Sequence, residues 1–314
     1  MVILRSFRDV ADATFLLAAL ALALISAALI SSTVRDHLRN YKFPALQMCC
    51  LRILALAPVY AVLSWLMMVF LPLAPFIEVF RDMYETYTLY CYWVLLVLWV
   101  GGQHRVTGVL AEGGSSMADC MLCPLFPAHG LPRATGLTVA RFQSAKGHFR
   151  YWRLALYQLM LTKPSLTLVH SILLALQMEG LNRARLLTLL STFVGMHAVL
   201  DTYSCLLPHL KGLQGSVKFL CIKLVVWVTL FQQMFISALL GYGAIPSEAH
   251  THGYNAAERA QRLLSTITIV EMAIFRFALP TQCFLLVWSL GCHHPLTPFP
   301  TCPHNHTSAC NIAM

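Results

Sequence analysis

Apolar residues form seven long blocks along the chain, and most charged residues lie in the short stretches between these blocks. The blocks cover roughly 12–32, 48–71, 84–101, 154–176, 187–207, 219–243 and 263–290, each near the ~20 residues that a helix needs to cross a bilayer. They are continuous rather than alternating with a period of two, which favours helices over the strands of a membrane barrel. The pattern therefore predicts an all-α membrane protein, with residues 1–290 forming a seven-transmembrane helix bundle.

The first block has a second interpretation, because Arg5 and Arg8 precede it as basic residues precede the core of a signal peptide. The apolar run is longer than the roughly 7–15 residues of such a core, and no cleavage site follows it. We therefore interpret it as the first span.

The composition agrees with a lipid environment for most of the chain. Hydrophobic residues make up 58% of the sequence and charged residues 11%, and the mean hydropathy is +0.67, whereas soluble domains carry about 25% charged residues. The formal charge of +9 could suggest nucleic-acid binding. The basic residues, however, are spread over short loops and form no continuous stripe, so the lipid bilayer is the expected partner and nucleic acid is not.

The distribution of Lys and Arg also predicts an orientation. Ten of these residues fall in the loops and ends on one side of the predicted bundle and seven on the other, where most carboxylates also lie. By the positive-inside rule the N-terminus is outside or lumenal and the C-terminus cytoplasmic, in the plasma membrane or an endomembrane. The loop 102–150 and the tail 291–314, which is predicted to be flexible, then face the cytoplasm, and the sequon at Asn305 stays unmodified.

Several charged residues fall within or near the predicted spans, where each costs about 2.5–3.5 kcal/mol at a helix centre. These charged residues are Arg52, Lys163, Asp201, Lys223, Glu271 and Arg276. Four are basic and two are acidic, so a formal surplus of about two positive charges remains. We expect Lys163, Lys223 and Arg276 to line a cavity for amphipathic organic anions, with Glu271 holding one of these bases. Ion pairing that only specifies helix packing is the alternative, and Arg52 and Lys223 could instead extend to the interface.

The cysteines and histidines do not define a metal site. Cys120 and Cys123 form a CxxC pair without a second pair at suitable spacing, so palmitoylation, an ordinary loop and metal binding all stay open, with metal the least favoured. The tail carries further Cys and His residues without the spacing of a zinc finger. The sequence predicts no metal, no cofactor and, in the absence of a catalytic motif, no enzyme.

A set of short motifs follows the same order as the predicted spans. They are His37-Leu38-Arg39-Asn40-Tyr41, Arg52-Ile53-Leu54, Arg81-Asp82-Met83-Tyr84-Glu85, Gly101-Gly102-Gln103, Lys163-Pro164, Gln232 and Ile269-Val270-Glu271-Met272. As a set, over roughly 30–280, they resemble the organic solute transporter alpha subunit and transmembrane protein 184 family, plant lazarus-like relatives included. The resemblance implies a seven-helix protein.

The resemblance also implies a function. The best understood member facilitates transport of bile acids and steroid conjugates with a single-span partner. For this chain it implies a facilitative transporter of amphipathic organic anions, acting with a single-span beta-type subunit or as a homo-oligomer. It implies a functional role for Asp82 and Glu85, which we place at the outer mouth of the third span. The alternative is a non-transporting membrane protein that acts as a receptor-like or trafficking scaffold.

Overall fold

The computed structural model describes residues 2–39, 44–112, 138–176, 181–210, 228, 231–245 and 255–292, and this part of the chain is helical without strands. Its helices are α1 (Val2–Arg39), α2 (Pro44–Leu54), α3 (Leu56–Val69), α4 (Ala74–Val100), α5 (Gln103–Glu112), α6 (Thr138–Ala175), α7 (Leu181–Leu206), α8 (Phe231–Gly241) and α9 (Ala256–Cys292). Short 3₁₀ turns lie at Leu71–Leu73 and Leu207–His209. The prediction of an all-α protein is confirmed for the described residues.

Three segments of the described part are long and apolar enough to cross a membrane: Ala13–Arg35, Pro44–Val69 and Leu186–His209. They coincide with the predicted spans 12–32, 48–71 and 187–207. A fourth candidate is Leu71–Val100 together with Gln103–Ala111, which are joined by a bend of 74°. The bend follows from Gly101 and Gly102, whose φ angles of +111° and +90° disfavour any residue with a Cβ and end α4.

Helix α4 is the central element of the fold. It packs against α2, α3, α6 and α7, and it begins at Ala74, ten residues before the predicted start of the third span. The early turns contain charged residues, which is why a search for apolar blocks excludes them. They are nevertheless helical and buried, with Arg81 3% and Asp82 5% exposed.

Two apolar clusters flank α4. The larger lies between α4, α6 and α7 and includes Trp93, Trp152 and Leu159, each at most 1% exposed. A small residue allows close packing there, because a Cβ added at Gly195 of α7 would lie 2.4 Å from Leu159 Cδ2. The second cluster joins α1, α3 and α9 and includes Tyr60, and α8 packs on α9.

A break between α2 and α3 lies near a proline. Pro58 is in the first turn of α3, where its missing N–H group leaves the carbonyl one turn earlier without its helical partner. The two helices together still qualify as one candidate span.

Candidate functional site

The N-terminal half of α4 carries four charged residues on one face. Glu78, Arg81, Asp82 and Glu85 are spaced by three, one and three residues, which places their side chains on one side of a helix. Three of the four are almost fully buried: Arg81 is 3%, Asp82 5% and Glu85 4% exposed. Buried charges at this density require partners from neighbouring helices.

The main partner is Lys163 of α6, itself 5% exposed. Its Nζ donates a hydrogen bond of 2.7 Å to Glu85 Oε1 and lies 3.4 Å from Asp82 Oδ1. The shorter distance is that of a charge-assisted hydrogen bond. Lys163 therefore links α6 to two successive turns of α4.

Uncharged side chains complete the coordination of the carboxylates. The Tyr60 hydroxyl donates to Glu85 Oε2, and Thr167 Oγ1 donates to Asp82 Oδ2 at 2.5 Å. Glu78 Oε1 accepts from Arg81 at 2.6 Å and from Gln233 Nε2 of α8 at 3.0 Å. The Arg81 guanidinium also lies 5.8 Å from the centre of the Tyr60 ring, so residues of α3, α4, α6 and α8 are joined in one network.

We call Glu78, Arg81, Asp82, Glu85 and Lys163 the ionic cluster. It contains three carboxylates and two bases, so its formal charge is −1. The expectation that Lys163 contributes to a surplus of unpaired positive charge is therefore wrong. The physical reason is that its partners lie on another helix, Asp82 just before the predicted third span and Glu85 at its first residues.

A cavity of about 600 Å³ borders the ionic cluster. Glu78, Asp82, Lys163 and Thr167 form one wall, and residues of α7, α8 and α9 complete it. The rest of the lining is predominantly apolar, with some polar groups: Leu71, Ala74, Pro75, His170, Leu174, Thr188, Leu189, Gln233, Met234, Ile236, Ser237, Leu240, Ala257, Glu258, Ala260, Gln261 and Leu264. This combination suits a solute with an apolar body and a polar end.

The predicted site residues divide into two groups. The structure brings Asp82, Glu85 and Lys163 together, two to three turns inside α4 rather than at its mouth. Glu271 lies apart from the cavity lining, is 8% exposed, and accepts from Gln232 Nε2 at 3.1 Å. Lys223 and the side chain of Arg276 lie outside the described part of the chain, although α9 includes residue 276.

Asp201 of α7, which stood out in the sequence, belongs to a second polar site. Its Oδ2 accepts from Trp152 Nε1 at 2.7 Å and lies 3.1 Å from His148 Nε2, both on α6. Ring edges and apolar residues surround this carboxylate, and it joins α6 to α7. These contacts between α6 and α7 explain why the Asp201 carboxylate is buried.

The predictions on metal binding and lipid modification mostly concern residues that are not described. Among the described residues no group of three or more His, Cys, Asp or Glu side chains could hold a metal ion. Cys120, Cys123 and the tail beyond residue 292 lie outside the described residues.

Sequence reasoning missed five members of the network: Tyr60, Glu78, Arg81, Thr167 and Gln233. For Glu78 and Arg81 a signal was present, because their spacing with Asp82 and Glu85 marks one helix face. For Tyr60 and Thr167 there was no such signal, since their roles depend on contacts between helices.

Comparisons with known proteins identify a family and a curated relative. Residues 15–280 match the family described as organic solute transporter Ostalpha. A transmembrane protein 184 homolog of Dictyostelium discoideum is 25% identical over 224 residues, which cover 68% of this chain and 41% of that relative. The chain therefore spans about two fifths of the length of this curated relative. No solved structure matches the chain.

Proposed function

The chain belongs to the organic solute transporter Ostalpha family, and from this we propose that it is a facilitative transporter of amphipathic organic solutes. In this proposal seven helices cross the membrane, with the N-terminus outside or lumenal and the C-terminus cytoplasmic. The solute passes through the bundle without nucleotide hydrolysis. A single-span beta-type subunit or a second copy of the chain is its proposed partner, and Cys120 and Cys123 are proposed palmitoylation sites.

The observation that carries the proposal is the cavity beside the ionic cluster. Its volume of about 600 Å³ lies in the range of roughly 300–1,000 Å³ that small organic ligands occupy. Ion pairs that served only to specify helix packing would not need a space of this size beside them. Here two of the paired residues, Asp82 and Lys163, also form part of its wall.

The family resemblance makes amphipathic organic anions, such as bile-acid or steroid-conjugate-like solutes, the first substrate class to test. Lys163 would supply the positive charge for such a solute. Because Lys163 is held by Glu85 and Asp82, an anion would have to compete with these carboxylates. The transport test must therefore compare solutes of opposite charge.

The test is counterflow into vesicles containing the purified full chain, without ATP or an ion gradient. The labelled probes are a steroid sulfate and an amphipathic amine, with protein-free vesicles as the blank. Trans-stimulated uptake of either probe is the expected result. Uptake of both at the rate of protein-free vesicles, with the chain alone and together with a single-span beta-type subunit, would overturn the proposal and favour the scaffold alternative.

Two neighbouring residues of α8 provide a matched test of the route. Ser237 lines the cavity, whereas Ala238, also exposed, does not. Ser237→Trp should fill part of the cavity and lower the flux at least several-fold. Ala238→Trp adds the same side chain one residue away and should leave the flux within about twofold of the unmodified protein. Equal effects of the two substitutions would mean that the cavity is not the route.

A further inference from the structure

We propose that the cavity selects amphipathic organic cations, with Asp82 and Glu78 receiving the ammonium end of a protonated amine. This inference rests on the proposed transport function and specifies its substrate class. It follows from the charges on the wall, from how they are already engaged, and from the apolar lining opposite them.

The charges on the described wall are predominantly negative. Glu78, Asp82 and Glu258 contribute three carboxylates, and Lys163 contributes one ammonium group. With histidine counted as neutral, three negative charges and one positive charge give a formal total of −2. This imbalance attracts a cation and repels an anion.

The bases of this region are already neutralised. Lys163 Nζ lies 2.7 Å from Glu85 Oε1 and 3.4 Å from Asp82 Oδ1. Arg81, which lies behind the wall and is 3% exposed, is 2.6 Å from Glu78 Oε1. An anion that approached Lys163 would have to displace a carboxylate or lie beside one, and either arrangement is unfavourable.

The carboxylates of the wall are engaged as well, since Glu78 Oε1 accepts from Arg81 and Gln233, but Glu78 and Asp82 both line the cavity. Asp82 Oδ2 accepts from Thr167, but Asp82 Oδ1 is 3.4 Å from its basic neighbour, beyond the roughly 2.7–2.9 Å of a charge-assisted hydrogen bond. Glu78 is 24% exposed at its side chain. An ammonium group in the cavity can therefore approach both carboxylates while Lys163 stays bound to Glu85.

The other walls accommodate the apolar part of such a solute. Leu174 of α6, Met234 and Leu240 of α8, and Leu264 of α9 line the cavity. A protonated amine on an apolar body therefore matches both the charge and the lining.

Three dansyl probes of equal length separate the charge from the apolar body. Dansylcadaverine ends in an ammonium group, dansyl-6-aminohexanoic acid in a carboxylate, and N-hexyl dansylamide in a methyl group. Equilibrium binding to the full chain in nanodiscs, with empty nanodiscs as the blank, should be at least tenfold tighter for the amine than for the other two. Asp82→Asn should weaken binding of the amine at least tenfold and leave the methyl probe unchanged.

Asp201→Asn is the matched control, because it neutralises another buried carboxylate of the bundle that does not line the cavity. It should not alter the preference among the probes. Binding of the acid as tight as that of the amine would overturn the inference, and so would amine binding that is unaffected by Asp82→Asn. The comparison of the three probes on the unmodified chain decides the question even if a variant fails to fold.

Counterflow with the same probes separates this inference from the transport function. Uptake of the amine alone supports both. Uptake of the acid alone supports transport and refutes cation selectivity. Tight amine binding supports the binding site, and if no probe is taken up with the chain alone or together with a single-span beta-type subunit, transport is refuted.

Discussion

At the scale of single residues, Lys163 is the member of the ionic cluster on which the others depend most. Lys163→Met leaves Glu85 and Asp82 buried without their shared base, so we expect a loss of about 3–5 kcal/mol in the free energy of unfolding. Thermal unfolding of the protein in detergent measures this loss. Leu161→Ala on the same helix is the control, because Leu161 is 71% exposed and its truncation should cost under about 0.5 kcal/mol.

The pairing itself is tested by adding Glu85→Gln to Lys163→Met. Because each substitution removes one side of the same contact, the double variant should lose at least about 0.5 kcal/mol less than the sum of the two single variants. Strict additivity would show that Lys163 and Glu85 do not stabilise each other.

Two buried tryptophans on neighbouring helices allow a charged hydrogen-bond acceptor to be compared with a neutral one. Trp152 Nε1 donates to the Asp201 carboxylate at 2.7 Å, and Trp93 Nε1 donates to the Thr202 hydroxyl at 3.2 Å. Both indoles are at most 1% exposed, so Phe costs similar packing at each position. Beyond this packing loss, we expect the lost hydrogen bond to cost about 1–3 kcal/mol in Trp152→Phe and about 0.5–1.5 kcal/mol in Trp93→Phe. Denaturation monitored by the far-ultraviolet helical signal measures both, and a larger loss for Trp93→Phe would contradict this ranking.

The sequence revealed that buried charges were present but not how they pair. Spacing along one helix can show that Asp82 and Glu85 share a face, yet it cannot show that Lys163, 78 residues after Glu85, lies opposite them. A charge count restricted to apolar blocks then assigned Lys163 to a positive surplus. Asp82 lies just before the third block and Glu85 at its first residues, and the count included neither of them, although both neutralise Lys163.

At the scale of helices, the contact between α6 and α7 depends on the absence of a side chain at Gly195. A Cβ there would lie 2.4 Å from Leu159 Cδ2 and 2.9 Å from Leu159 Cβ. We expect Gly195→Ala to separate the helices locally and to cost about 1–3 kcal/mol. Gly147→Ala on α6 meets no atom within 4 Å and should be neutral or stabilising by about 0.5–1 kcal/mol. Thermal unfolding of both variants tests the contrast, and combining Gly195→Ala with Leu159→Ala should recover part of the loss caused by Gly195→Ala.

The helix boundaries, like the pairing of the charges, could be predicted only in part from the sequence. The apolar blocks identified the segments that became α1, α2 with α3, and α7, because these helices bury or present apolar side chains over their whole length. For α4 the hydropathy placed the start at residue 84, whereas the helix begins at Ala74. Contacts with Lys163, Gln233 and Tyr60 stabilise the charged turns. Hydropathy is calculated from the sequence alone and does not include such contacts between helices.

At the scale of the whole molecule, the cavity and helix α5 lie at opposite ends of α4. The cavity is lined by the first turns of α4 and the last turns of α6, whereas α5 and the start of α6 lie at the other end of this antiparallel pair. If the loop 102–150 is cytoplasmic, as the distribution of Lys and Arg predicts, the cavity faces the outer or lumenal side. A solute entering from that side then meets the carboxylates of Glu78 and Asp82 before it reaches the centre of the bundle.

This sidedness can be measured with single added cysteines. Ser237→Cys lies in the cavity, and Lys146→Cys lies at the loop end of α6; both positions are exposed. In intact cells with the protein at the surface, a membrane-impermeant maleimide should label Ser237→Cys above the level of the parent chain. Lys146→Cys should be labelled only after permeabilisation, because the distribution of Lys and Arg predicts that this end of α6 is cytoplasmic. The reverse pattern would invert the orientation and place the cavity on the cytoplasmic side, and the carboxylate wall would then receive solutes that leave the cell rather than those that enter it.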